Sequence, residues 1–172
     1  MELLIPGLIL VALMVYASTR IKRTAAAAFE AETVETDDFI IQKPEGFLTV
    51  LNGDPQYAFE SYSKEYGGEA AEGFRKGIAY LKFYDGTTVA KRVAAIAEPG
   101  DEIAGDITEV IGDYHYRVIE INRTLKDVEF LYFYKFAEKG GRVYEFQIIA
   151  IAETTDEFMR NIETMLAGFE IK

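Results

Sequence analysis

Hydrophobic and polar positions divide the chain into two regimes. Leu3 to Ala17 (LLIPGLILVALMVYA) is uncharged and almost wholly apolar, interrupted only by Pro6 and Gly7. With Ser18 and Thr19 it forms a 17-residue stretch before the first following charge at Arg20. Such a stretch spans about 26 Å as a helix, slightly under a hydrocarbon core of about 30 Å. The pattern predicts a membrane-spanning helix at the short end of the range, with Pro6 in the tolerant first turns and Arg20, Lys22 and Arg23 snorkelling toward headgroups. Alanines 25–28 extend the helix. Phe29 to Asp38, with Glu30, Glu32, Glu35, Asp37 and Asp38, reads as an acidic linker. The expected division is therefore an anchor with a basic flank over 1–23, a helical and acidic linker over 24–37, and a globular α+β domain over 38–172.

Within that domain the apolar period switches between two and three to four. DFIIQK (38–43) and FLTVL (47–51) read as short strands, stopped by Pro44 and by Asn52-Gly53-Asp54-Pro55. Residues 57–66 fit a strand or a helix. GIAYLKFY (77–84) reads as a strand closed by Asp85-Gly86, and Val89, Val93 and Ile96 predict a short helix over 87–97. Strands follow at 103–111, 114–121, 128–137 and 142–152. In the last two, Val128, Phe130, Tyr132, Tyr134 and Phe136 share one face, as do Tyr144, Phe146, Ile148 and Ala150. Around Gly140-Gly141 this predicts an antiparallel hairpin with one aromatic side. Thr154 and Glu157 form a candidate capping box for a helix carrying Phe158, Ile162, Met165 and Leu166, which ends at Gly168 before a last short strand, Phe169-Glu170-Ile171. The expected architecture is a twisted antiparallel sheet with helices packed on one face.

Lys43-Pro44-Glu45-Gly46-Phe47, the late-strand segments Phe133-Tyr134-Lys135-Phe136 and Gly140-Gly141-Arg142-Val143-Tyr144-Glu145-Phe146, and the closing Gly168-Phe169-Glu170-Ile171 resemble the PsbP/DcrB-type family over about residues 38–171. The resemblance implies an α/β/α sandwich and docking on a membrane complex rather than catalysis, in a respiratory or photosynthetic setting. Members of that family usually sit on the lumenal or periplasmic side. No binding motif of the family matches this chain residue by residue.

Charge sets an expectation of its own about sidedness. The chain carries 18 Lys+Arg and 29 Asp+Glu, a formal net charge of -11. Three of the bases, Arg20, Lys22 and Arg23, follow the apolar run, while Glu2 precedes it, so residues 24–172 carry -13. The positive-inside rule then puts the domain in the cytoplasm and the N-terminus outside, in the inner membrane of a bacterial cell, opposite to the side the family implies. A cleaved signal peptide ending at Val15-Tyr16-Ala17 is the competing reading, opposed by the missing basic n-region; a soluble buried helix is a third. The basic flank suits an anionic lipid surface, and the acidic domain argues against nucleic acid.

Chemistry is limited by inventory. Zero Cys and one His exclude disulfides, thiolate metal sites and multi-histidine metal sites, so no cofactor and no enzyme activity are expected. His115 has Asp113 and Glu120 nearby but no serine; Ser18, Ser61 and Ser63 are remote in sequence. Glu98, Asp101, Glu102 and Asp106 lack the spacing of a calcium loop and read as a solvated turn. Asn122-Arg123-Thr124 fits a glycosylation sequon. More informative are 11 Tyr and 12 Phe. Tyr57, Tyr62, Tyr66, Tyr80, Tyr84, Tyr132 and Tyr134 form a candidate interaction surface, since tyrosine joins apolar area to a polar tip. The expectation is a non-enzymatic membrane-anchored accessory or assembly subunit whose partners are subunits of a larger complex and the bilayer. The alternative is a tethered module holding a small apolar or lipid ligand between sheet and helices.

Overall fold

A computed structural model describes residues 4–172, with side chains from Leu13 onward other than those of Lys22 and Arg23. Helix α1 (Leu4–Ala27) covers the apolar segment and the alanine run that was expected to prolong it. Arg20 is exposed; the other two flank residues, Lys22 and Arg23, lie outside the described side chains. Leu13, Met14, Val15, Tyr16 and Ile21 are each at least 60% exposed and belong to neither core cluster of the described residues. Among the described residues no helix is long and apolar enough to cross a membrane.

Two antiparallel sheets follow. The smaller holds β1 (Glu32–Glu35), β2 (Phe39–Lys43) and β10 (Glu170–Ile171) in the order β1-β2-β10. The larger holds β3 (Phe47–Thr49), β4 (Phe59–Ser63), β5 (Gly77–Asp85), β6 (Glu102–Ile111), β7 (Tyr114–Leu125), β8 (Val128–Lys139) and β9 (Arg142–Ile151). Its order is β3-β4-β5-β9-β8-β7-β6. Helices α2 (Val89–Ile96) and α3 (Asp156–Ala167) complete the described elements, with a 3-10 turn at Glu69–Ala71. The ambiguous 57–66 segment is thus strand over Phe59–Ser63.

The turn at Gly140-Gly141 decides how the sheet is covered. Both glycines have positive φ, the conformation a two-residue hairpin loop needs. The loop pairs Lys139 with Arg142, and hence Tyr134 with Gln147 and Phe136 with Glu145. Even positions of β8 therefore share a face with odd positions of β9. The expected single aromatic side becomes two: Tyr132, Tyr134 and Phe136 pack on one face, and Tyr144, Phe146, Ile148 and Ala150 on the other. Each face needs a cover. Phe158, Ile162 and Met165 of α3, with Phe39, Ile41, Phe169 and Ile171 around the small sheet, cover the second face. Ile96, Val89 and Val93 of α2, with Ala71, cover the first. Helices accordingly lie on both faces, not one.

Two further local expectations change. The acidic linker contains β1, paired with β2 from Glu32–Lys43 to Glu35–Ile40. It is a mostly exposed outer strand with no apolar alternation to reveal it, held by β-branched Thr33 and Val34 and by ladder hydrogen bonds. Helix α3 is capped by Thr155, whose Oγ1 accepts from Phe158 N at 3.3 Å, rather than by Thr154. Thr154 Oγ1 is buried with no hydrogen-bond partner.

The linker is also tied down beyond β1. Gly46 N donates to Phe29 O at 2.7 Å, and the buried Lys43 ammonium donates to Glu30 O and, at 2.8 Å, to Phe47 O. Burial lowers the Lys43 pKa from its ordinary value. Lys172 bridges to Glu35 at 2.7 Å. After α3, Gly168 is needed for close approach: a Cβ there would collide with the Gln42 side chain, and Gly168 O accepts from Gln42 N at 3.2 Å. Gly168→Ala is expected to cost about 1–3 kcal/mol, because neither strand nor helix end can retreat without breaking that bond. Urea denaturation followed by circular dichroism checks it, and an unchanged midpoint would contradict the packing described.

Candidate interaction surface

All seven candidate tyrosines sit in or beside β4, β5 and β8, but they do different things. Cα pairing of Tyr80 with Gln147 and of Gln147 with Tyr134 puts Tyr80 and Tyr134 in one row on the α2 face. Pairing of Tyr62 with Ile78, Ile78 with Ile149 and Ile149 with Tyr132 makes a second row. Tyr132 and Tyr134 are buried beneath α2, so they belong to the core and are removed from the expected surface. Tyr134 Oη accepts from Gln147 Nε2 at 2.8 Å. Tyr57, Tyr62, Tyr80 and Tyr84 are half-buried, and of the seven only Tyr66 is exposed, at 51%.

Cations occupy much of what remains open. The Arg75 guanidinium lies between Tyr62 and Tyr66, 4.5 and 4.0 Å from the ring centroids, and its Nη1 donates to Ser63 O and Lys64 O. Tyr57 stacks on Tyr80 at 4.4 Å, with Lys82 Nζ 4.7 Å from the Tyr57 ring. Arg92 of α2 lies 3.7 Å from the Tyr84 centroid while Nε donates to the buried Glu145 carboxylate at 2.8 Å. Arg123 sits 4.6 Å from the Tyr132 ring. Burial pushes the hydroxyls of Tyr57, Tyr80, Tyr84, Tyr132 and Tyr134 above the ordinary tyrosine range. The expected docking face is in large part an internally satisfied arginine–tyrosine lattice.

The acidic loop is likewise structural. Asp101 accepts from Arg123 Nε at 2.8 Å and Nη2 at 2.7 Å, a bidentate pair, and its side chain is 4% exposed. Glu98 accepts from Arg123 Nη1 at 2.7 Å. The turn is solvated at Glu98, Glu102 and Asp106, as expected, and tied down at Asp101; the sequon Asn122–Thr124 lies inside strand β7. His115 is exposed on β7, opposite Val110 of β6, far in the ladder from Ser61 and Ser63 on β4. Among the described residues no group of His, Asp and Glu is placed to hold a metal. The cavity between β7, β8 and α3, lined by Ile121, Phe133, Met159, Ile162 and Leu166, measures about 200 Å³.

No sequence-family model matches the chain, and no curated protein sequence does. Solved structures do. Cyanobacterial PsbP (CyanoP) from Synechocystis sp. PCC 6803 is 12% identical with TM-score 0.54, over 83% of this chain and 92% of the other. LpqN, involved in cell envelope biogenesis of Mycobacterium tuberculosis, is 12% identical with TM-score 0.56, over 83% and 91%. The Ran-binding protein Mog1p of Saccharomyces cerevisiae is 10% identical with TM-score 0.54, over 83% and 96%. The fold is PsbP-like. A Bacteroides thetaiotaomicron protein matches at TM-score 0.50 and 10% identity, and there the chain spans 45% of the other protein's length. At these identities the PsbP-like likeness concerns the fold alone.

What sequence reading missed in this PsbP-like domain is on its open side. Ile103, Ile107 and Val110 on β6 are 59–61% exposed. Their apolar character is plain in the sequence, but the place of β6 at the sheet edge is a property of topology. The Asp101–Arg123 pair gives a test with a sign. Arg123 holds the Asp101 carboxyl below the usual carboxylate range. Its contribution is therefore present above the unfolded value of about 3.9 and lost as pH falls through the lower folded value. Arg123→Gln is expected to cost about 3 kcal/mol at pH 7 and progressively less below about pH 4. Denaturation of both proteins across that range checks it; a pH-independent difference would contradict the pairing.

Proposed function

We propose that this chain is a single-pass, membrane-anchored accessory or assembly subunit that docks on a larger membrane protein complex and performs no catalysis. The observation that carries the reading is α1: its described apolar side chains are exposed and outside both core clusters of the described residues, as a helix would be that meets lipid or a neighbouring helix. The tight junction supports it. Gly46, Lys43 and β1 leave no slack between α1 and the domain, so a docked helix would hold the domain in one orientation. The family likeness supplies the setting, an energy-transducing membrane complex. The basic flank Arg20, Lys22 and Arg23 favours an outside N-terminus and a cytoplasmic domain. The alternative, an apolar or lipid ligand between the sheet and α3, has the 200 Å³ cavity there to hold it, below the roughly 300 Å³ at which ligand pockets begin, while the hollow of about 370 Å³ beside Glu98, Asp101, Glu102 and Arg123 is lined largely by polar and charged groups.

Purification of the full chain from its native membrane in mild detergent is expected to bring down stoichiometric partners. Recovery as a lone monomer would contradict the proposal. Reporter fusions at Lys172 are expected to give a cytoplasmic signal, and a periplasmic one would reverse the orientation.

A further inference from the structure

The four outer strands of the two sheets are not equally protected. β1 is four residues long and ends in glutamates, β10 has two residues, and β3 has three. β6 has ten residues, pairs among the described strands only with β7, and contains no proline, lysine or arginine. Long unpaired edges that lack such residues offer their backbone groups to another strand, and natural proteins usually block them. Here a bulge between Ile103 and Gly105 disturbs the start of the strand, and the register then runs unbroken from Gly105–Glu120 to Ile111–Tyr114. Along that stretch each face presents an apolar side chain beside a carboxylate. Ile107 lies with Glu109 on the α3 face, and Val110 lies with Asp106 on the α2 face. Ile107 and Val110 are 60% and 61% exposed.

We infer that β6 is a docking edge that accepts an extended, basic segment of a partner protein as an eighth strand of the sheet. Main-chain hydrogen bonds supply the attachment in this mode, and alternate side chains supply selectivity. Charge selects the occupant. Glu98, Asp101, Glu102, Asp106, Glu109 and Glu120 surround the edge, against Arg117, Arg123 and Lys135. Arg117 is bound to Asp106 at 2.7 Å and Lys135 to Glu109 at 2.9 Å, which leaves Glu102 and Glu120 outside any ion pair among the described residues. A second copy would bring the same carboxylates opposite these, and like charges facing across a ladder destabilise it. A strand alternating Lys or Arg with Val, Ile or Leu meets both the apolar and the acidic positions.

This inference rests on the reading that the chain has a protein partner, and its test separates the two. Benzoylphenylalanine placed at 107 or at 110 in the full chain, in cells that make it natively, is expected to cross-link on illumination to one protein, within a basic extended segment. The same probe at 66, on the aromatic face, is expected to give none. Val110→Lys is expected to lower the adduct yield at 107 about ten-fold while the melting temperature stays unchanged. An adduct at 66 but not at 107, an adduct to a second copy of this chain, or a yield indifferent to Val110→Lys would overturn the inference. If partners co-purify while 107 gives no adduct, only the docking edge is wrong. A lone chain without adducts sinks the partner reading with it.

Discussion

The two-residue turn at Gly140-Gly141 constrains everything else in this domain. It sets odd positions of β9 beside even positions of β8, so the two aromatic rows of the hairpin fall on opposite faces. A sheet with one apolar face can leave the other in water; this one cannot. The hydrophobic effect then requires two covers, and the rest of the chain supplies them: α2 and the Ala71 turn on one side, α3 and the small sheet on the other. From Tyr132 to Ala137 every side chain of β8 is buried. That includes Lys135, whose ammonium is stabilised by Glu109 and by Leu166 O at the end of α3, 4.7 Å from the Tyr116 ring.

Coverage of both faces changes what is left for partners. Tyrosine-rich strands look like a binding surface, yet Tyr132 and Tyr134 are core, while Tyr62, Tyr84 and Tyr57 are engaged by Arg75, Arg92 and Lys82. The sheet's free valence lies in its plane, along β6, and outside the domain, on α1. The proposed subunit role rests on these two features.

Much of the fold was legible in the sequence because period and turn chemistry are local. The strand–turn–strand runs from Gly77 onward, the helix on Val89, Val93 and Ile96, and the closing helix lie within a few residues of their expected bounds. What stayed hidden depends on pairing. That Phe146 and Phe136 lie on opposite faces follows from the parity of the turn, and hairpin parity is easily overlooked when each strand is read alone. β1 carries no apolar alternation, since an exposed outer strand does not need one. The Arg123–Asp101 pair joins residues 22 positions apart, and the seat of Lys43 is made by carbonyls of Glu30 and Phe47 that no side-chain pattern records. The PsbP-like resemblance, resting on short motifs around that same Lys43 and around Gly140-Gly141, anticipated the architecture where periodicity alone put helices on only one face.

The central claim is that this domain meets its partners through α1 and the β6 edge while both sheet faces remain internally satisfied. Hydrogen-exchange mass spectrometry tests it most directly, comparing the chain in its native membrane assembly with the purified chain in detergent. The account predicts new protection over Gly105–Ile111 in the assembly and little change over β4 and β5. New protection concentrated on Phe59–Ser63 and Gly77–Asp85, with β6 unchanged, would contradict it and return the interface to the aromatic face.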